Sequence, residues 1–142
     1  MLKSFLVAVI LIAFQSVYGQ STEDWITHFT NDDIRISVRR SDCHYPEKGV
    51  HNAYLLFRLE NLTDSHLSVA YDLQRAYNGK ASNPDTNGFS FELEPGEEIA
   101  SDCDHLQDGL HLFIKMLEPK GKSILSGFEL IDLTINGKNI AR

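Results

Sequence analysis

Leu67-Ser68-Val69-Ala70-Tyr71-Asp72-Leu73-Gln74 alternates larger apolar residues with small or polar ones across its whole length. Side chains on an extended strand point to opposite faces in turn, whereas one face of a helix recurs every three to four residues. The octet therefore predicts a strand with Leu67, Val69, Tyr71 and Leu73 turned toward a core. The same period runs outward in both directions. Ile34, Ile36 and Val38 oppose Arg35, Ser37 and Arg39, and Leu55, Phe57 and Leu59 oppose Tyr54, Arg58 and Glu60. Downstream, Phe89, Phe91 and Leu93 alternate with Ser90, Glu92 and Glu94, and further strand-like runs cover 98–103, 110–117 and 128–135.

Turn chemistry separates these runs. Glu94-Pro95-Gly96-Glu97 suits a type II turn, where proline pre-sets φ at the second position and glycine takes the positive φ at the third. Asn61-Leu62-Thr63-Asp64-Ser65 breaks the second strand from the third. Residues 78–88 form the longest loop, with Asn-Gly at both ends and Asn83-Pro84-Asp85 in the middle. About seven short strands of this kind predict an all-β domain, an immunoglobulin-like antiparallel β-sandwich, because each apolar face must be covered by another sheet. Two runs break parity. Leu110, Leu112, Ile114 and Met116 share a face while Phe113 and Leu117 fall on the other, which requires burial on both faces or a bulge. A second parity shift predicts a bulge near Ile131-Asp132.

Residues 20–32 differ in character. Trp25 and Phe29 are four apart, as on one face of a short helix capped by Ser21 or Thr22. The other reading is an N-terminal arm that pins Trp25 against the sandwich. The domain proper then spans 33–142.

The first 19 residues read as a secretory signal peptide. Lys3 supplies the positive start, an apolar run covers 5–14, and Val17-Tyr18-Gly19 offers small residues for cleavage. The apolar run is short of the roughly 20 residues a membrane helix needs. Cleavage would leave 123 residues from Gln20, enough for one domain with a core of its own. Without Lys3 the balance is 12 basic against 20 acidic residues. That excess disfavours nucleic acid and anionic membrane surfaces, both of which select clustered Lys and Arg. The expectation is a periplasmic or extracellular protein, monomeric or weakly oligomeric, with no membrane insertion after cleavage.

The two cysteines lie in near-copies of one string, Ser41-Asp42-Cys43-His44 and Ser101-Asp102-Cys103-Asp104-His105. In an exported chain two cysteines are most simply a disulfide, since an oxidising compartment lets the bond form and persist. A Cys43–Cys103 bond would close a 61-residue loop, worth about 4 kcal/mol by loop-closure entropy. The rival is a zinc or copper site using Cys43, His44, Cys103 and His105, with neighbouring aspartates behind them. Its spacing departs from the usual paired-ligand patterns, and adjacent residues of a strand point apart. His28, His51, His66 and His111 share no spacing and read as surface residues.

No nucleophile elbow, His-Glu-x-x-His, phosphate loop or Cys-x-x-Cys occurs. No catalytic residue and no cofactor is expected. Asn61-Leu62-Thr63 fits the N-glycosylation sequon in a turn where a sugar would be accessible. Exposed loops on a rigid scaffold commonly carry recognition, so Tyr77, Asn78, Lys80, Asn83 and Asp85 are the candidate binding loop for a protein or glycan partner.

Arg39-Arg40-Ser41-Asp42-Cys43, Leu59-Glu60-Asn61-Leu62-Thr63, Tyr77-Asn78-Gly79-Lys80, Leu93-Glu94-Pro95-Gly96-Glu97, Cys103 and Phe128-Glu129-Leu130 together resemble a group of small exported β-sandwich proteins from Bacteroidetes-type bacteria. The resemblance spans about 33–136. That group carries no assigned activity, so the resemblance implies fold and export and transfers no catalytic residue. Two functions follow as expectations. The first is a non-enzymatic binding or accessory module stapled by Cys43–Cys103. The second is a metal-handling protein built on the two cysteine strings.

Overall fold

The computed structural model describes residues 24–82 and 88–140. Within them the chain is all-β apart from one 3₁₀ turn. The strands are β1 (Ile26–Thr30), β2 (Ile34–Tyr45), β3 (Val50–Asn61), β4 (Leu67–Tyr77), β5 (Lys80–Ala81), β6 (Phe89–Leu93), β7 (Glu98–Ala100), β8 (His111–Glu118), β9 (Leu125–Ile135) and β10 (Lys138–Asn139). Every pairing is antiparallel. One sheet runs β1-β2-β3, with β7 and β8 sharing the far edge of β3. The other runs β10-β9-β4, with β5 and β6 sharing the far edge of β4.

The period-two faces meet as the sequence predicts. Ile34, Ile36, Phe57 and Leu59 from the first sheet pack with Leu67, Val69, Tyr71, Leu73, Phe91, Leu93, Leu130 and Ile135 from the second. Leu110 and Leu112 complete this core. At roughly 25 cal/mol per Å², a buried leucine or phenylalanine contributes about 1.5–3 kcal/mol, so this cluster supplies the main driving force.

Three short strands escape the sequence reading, namely β1, β5 and β10. The proposed helix at Trp25 and Phe29 gives way to β1, whose β-branched Ile26, Thr27 and Thr30 favour extension. Ser21 and Thr22, the candidate caps, lie outside the described residues, as does the 1–19 signal peptide. The arm reading fares better, since the Trp25 ring lies 4.6 Å from the Arg39 guanidinium and 4.8 Å from that of Arg58. β1 is nonetheless hydrogen-bonded into the sheet beside β2.

The first two strands are also longer than their apolar pattern. β2 and β3 pair without interruption from Ile34–Asn61 to Tyr45–Val50. Pro46, which has no N–H to donate, ends the ladder, and Gly49 at φ +64° closes the turn through its N–H to the Pro46 carbonyl. The face expected to be polar is buried too, with Ser37, Ser41, Cys43 and Leu56 all nearly inaccessible. The cysteine-bearing turn after β7 is bonded to the Cys43 end of that face, and Trp25 sits over two of its arginines, Arg39 and Arg58.

Both expected irregularities appear. β9 carries an extra residue opposite Tyr71, with Asp132 at φ +54°. β8 slips twice against β3, around Ile114 and around Leu117. The Glu94–Glu97 turn closes through a 3.0 Å bond from the Glu97 N–H to the Glu94 carbonyl, with Gly96 at φ +70°.

Candidate functional site

The cysteine strings resolve into structure. Cys43 and Cys103 form a disulfide with their Cα atoms 5.4 Å apart. Ser41 Oγ lies 3.3 Å from Cys103 Sγ, and the Tyr45 hydroxyl donates to the Cys103 carbonyl. Burial, reinforced by Tyr54, Asp104 and Asp102, raises the Tyr45 pKa and keeps that hydroxyl a donor. The Asp102 carboxylate accepts the backbone N–H groups of Asp104 and His105, and Ser101 Oγ accepts that of Gln107. The repeated Ser and Asp are therefore turn and anchor residues. The Cys43, His44, Cys103, His105 ligand set is corrected by the same observation, because both sulfurs are spent on one another. Nor do the imidazoles converge. His44 pairs with His51 on the other face of the hairpin, and His105 is exposed, 3.6 Å from Asp102. A disulfide is consistent with an oxidising compartment. Among the described residues no helix is long and apolar enough to cross a membrane.

The candidate binding loop is partly absorbed into strands. Tyr77 ends β4, its hydroxyl donates 2.7 Å to the Phe113 carbonyl, and burial raises its pKa against an opposing effect from Arg75. Asn78 and Gly79, at φ +52° and +82°, make the two-residue turn into β5 that Asn-Gly favours. Asn78 is further engaged with Ile124, whose N–H its side chain accepts and whose carbonyl takes its own N–H. Lys80 is exposed. Asn83 and Asp85 lie outside the described residues.

The sequon expectation is also overturned at Asn61. It is the last residue of β3, 3% exposed, and its Nδ2 donates to the carbonyls of Ser65, Leu93 and Glu94 at 2.7, 3.2 and 2.9 Å. Its Oδ1 accepts from the N–H and hydroxyl of Thr63. An amide nitrogen committed to three carbonyls has no room for a sugar. The Asn-x-Thr spacing here ties β3 to the strands of the second sheet.

A cleft opens where neither sheet closes on the other. It is lined by His28 and Phe29 of β1, by β9 from Phe128 to Leu133, and by Asn139 and Ile140. Its volume is about 830 Å³. Each wall has a local cause. β1 and β10 are the end strands of their sheets. The Asp132 bulge offsets β9 from β4, and Asn136-Gly137, both at positive φ, turn the chain sharply into β10. The floor is continuous with the core, since the Phe128 ring packs edge-on against Phe57 at 5.6 Å and is met by His28 at 4.9 Å. No known protein family, curated protein or solved structure matches this chain. The cleft was missed at the sequence level although its parts were visible. Phe29, the parity shift at Ile131-Asp132 and the Asn-Gly dipeptide each left a mark, but nothing in one dimension places β1 beside β9.

Proposed function

We propose that this protein is an exported, non-enzymatic β-sandwich of immunoglobulin-like type, related to the small bacterial group it resembles. It acts as a binding module that takes an extended segment of a partner protein into the cleft between β1 and β9–β10. The supporting observation is the cleft itself. An end strand offers a row of backbone N–H and C=O groups, the template for strand addition, and the adjoining volume accepts side chains at alternate positions of the added strand. Phe29, Phe128, Leu133 and Ile140 give the apolar contact, while Asp132 and Asn139 supply a polar rim. The closed disulfide fits periplasmic or extracellular residence and leaves neither cysteine free to act as a nucleophile.

Phage-displayed dodecapeptides selected against the oxidised protein test this. The expected winners alternate apolar and polar residues, and they lose binding to Asn139→Arg and Ile131→Glu variants that melt like the parent. Winners that bind both variants undiminished would move the site elsewhere. No enrichment, alongside binding on a glycan array, would replace the peptide with a sugar.

A further inference from the structure

His44 and His51 are directly opposite across the β2–β3 ladder, so their side chains leave the same face of the hairpin. Their Nδ1 atoms approach to 2.9 Å, with ring centroids 5.2 Å apart and planes tilted by 49°. A contact of that length needs one ring to present Nδ1–H and the other a bare Nδ1 lone pair, because two protonated rings would repel. At least one lone pair is thus aimed into the space between them. We propose that this pair is a two-imidazole site for a divalent transition-metal ion of the copper(II) or nickel(II) class, bound beside the Nδ1–Nδ1 line once the shared proton passes through water to Nε2 of its own ring and frees both Nδ1 lone pairs.

The separation selects the ion. With metal–nitrogen bonds of about 2.05 Å, nitrogens 2.9 Å apart subtend about 90° at the metal. That is the angle between neighbouring corners of a square or octahedron, the geometry of nitrogen-ligated copper(II) and nickel(II). A tetrahedral zinc ion would require the nitrogens to open to about 3.3 Å. The backbone is set before any ion arrives. The ladder continues past the pair to Tyr45–Val50, and Cys43, the neighbour of His44, is pinned by its disulfide to Cys103. His44 is exposed and His51 half-buried, so an ion has access from solvent. Glu118 pairs with His51 from the other side, on β8. No group of three His, Cys, Asp or Glu among the described residues could hold a metal, so water fills the remaining positions. This donor set shares only His44 with the cysteine-based one and leaves the disulfide intact.

The test is titration of Cu²⁺ and Ni²⁺ salts into the oxidised protein, followed by calorimetry and, for copper, electron paramagnetic resonance. The expected result is one equivalent bound per chain, copper tighter than nickel, with an axial copper signal split by two nitrogens. His44→Gln and His51→Gln should each weaken binding by at least about tenfold. His66→Gln, a change elsewhere on the surface, should leave it unaltered. Stoichiometric binding that survives either hairpin substitution, or no binding by the parent at about 100 µM metal, overturns the assignment.

Discussion

Asn61→Asp replaces one NH₂ group by one oxygen at the junction of the two sheets, and its consequences can be worked bond by bond. In the parent, two amide hydrogens are shared among the carbonyls of Ser65, Leu93 and Glu94, while Oδ1 accepts twice from Thr63. The variant keeps the Thr63 contacts but turns a second acceptor toward three carbonyl oxygens. Each lost bond is worth about 1 kcal/mol net, and leaving buried acceptors without donors costs about 1–3 kcal/mol more. Ser65 is exposed and can be rewetted, which brings the expected total to about 3 kcal/mol at neutral pH. For a domain of this size that lowers the melting temperature by about 10 °C. Repulsion from the carbonyls favours the protonated acid, so the variant's folded-state pKa lies above its unfolded value. Its deficit is then greatest above the raised folded pKa and shrinks as pH falls through it, because the new O–H can donate to a carbonyl. Thermal and urea melts of parent, Asn61→Asp and Asn61→Ala at neutral and mildly acid pH read this directly. If Asn61→Asp lies within about 0.5 kcal/mol of the parent at pH 7, Asn61 is not the tie described here. The same burial predicts that folded protein secreted from a eukaryotic host carries no glycan at Asn61, which intact mass measures.

Two further outcomes follow from the core and the staple. Reducing Cys43–Cys103 should lower stability by about 4 kcal/mol, the closure entropy of its 61-residue loop, read as a shift in the urea midpoint. A loss below about 1 kcal/mol would show that β2, β3 and the cysteine turn hold together without it. Tyr71 is buried, donates to the Gly109 carbonyl, and has its pKa pushed far above the ordinary value near 10. Below pH 10 both folded and unfolded states keep the proton and stability is full. Above it only the unfolded chain loses the proton, so stability falls by up to about 1.4 kcal/mol per pH unit. Tyr71→Phe should be less stable than the parent at pH 8 by roughly the lost hydrogen bond, about 1 kcal/mol, yet decline less steeply above pH 10. Parallel alkaline slopes for the two proteins would refute the linkage.

Much of the fold was legible because two-faced strands leave a period-two trace whichever partner covers them. The strands at Ile34, Phe57, Val69, Phe91, Leu112 and Leu130 could be read from alternation, and so could the Asp132 bulge, from the break in parity. β5 and β10 were not, since a two-residue strand has no period to detect. The polar stretch from Arg40 to His44 also gave no sign of being half of a long ladder. Its buried members, Ser41 and Cys43, meet a turn sixty residues away that the disulfide holds against them.

Tertiary structure alone reversed the roles of several residues. Asn61 looked like an accessible turn asparagine because a sequon is only three residues long and carries no record of burial. Tyr77 looked like a loop aromatic because Asn78-Gly79 signals a turn without saying that the Tyr77 hydroxyl reaches Phe113. His44 looked like part of a cysteine string and His51 like a lone surface residue, and only the register of β2 against β3 makes them neighbours. Along one strand the sequence alone determined which residues share a face and where the chain must turn, because those follow from local backbone geometry. Which edges are left open, which polar atoms are buried and which imidazoles touch were decided only when the two sheets closed on one another, since those depend on contacts between residues distant along the chain.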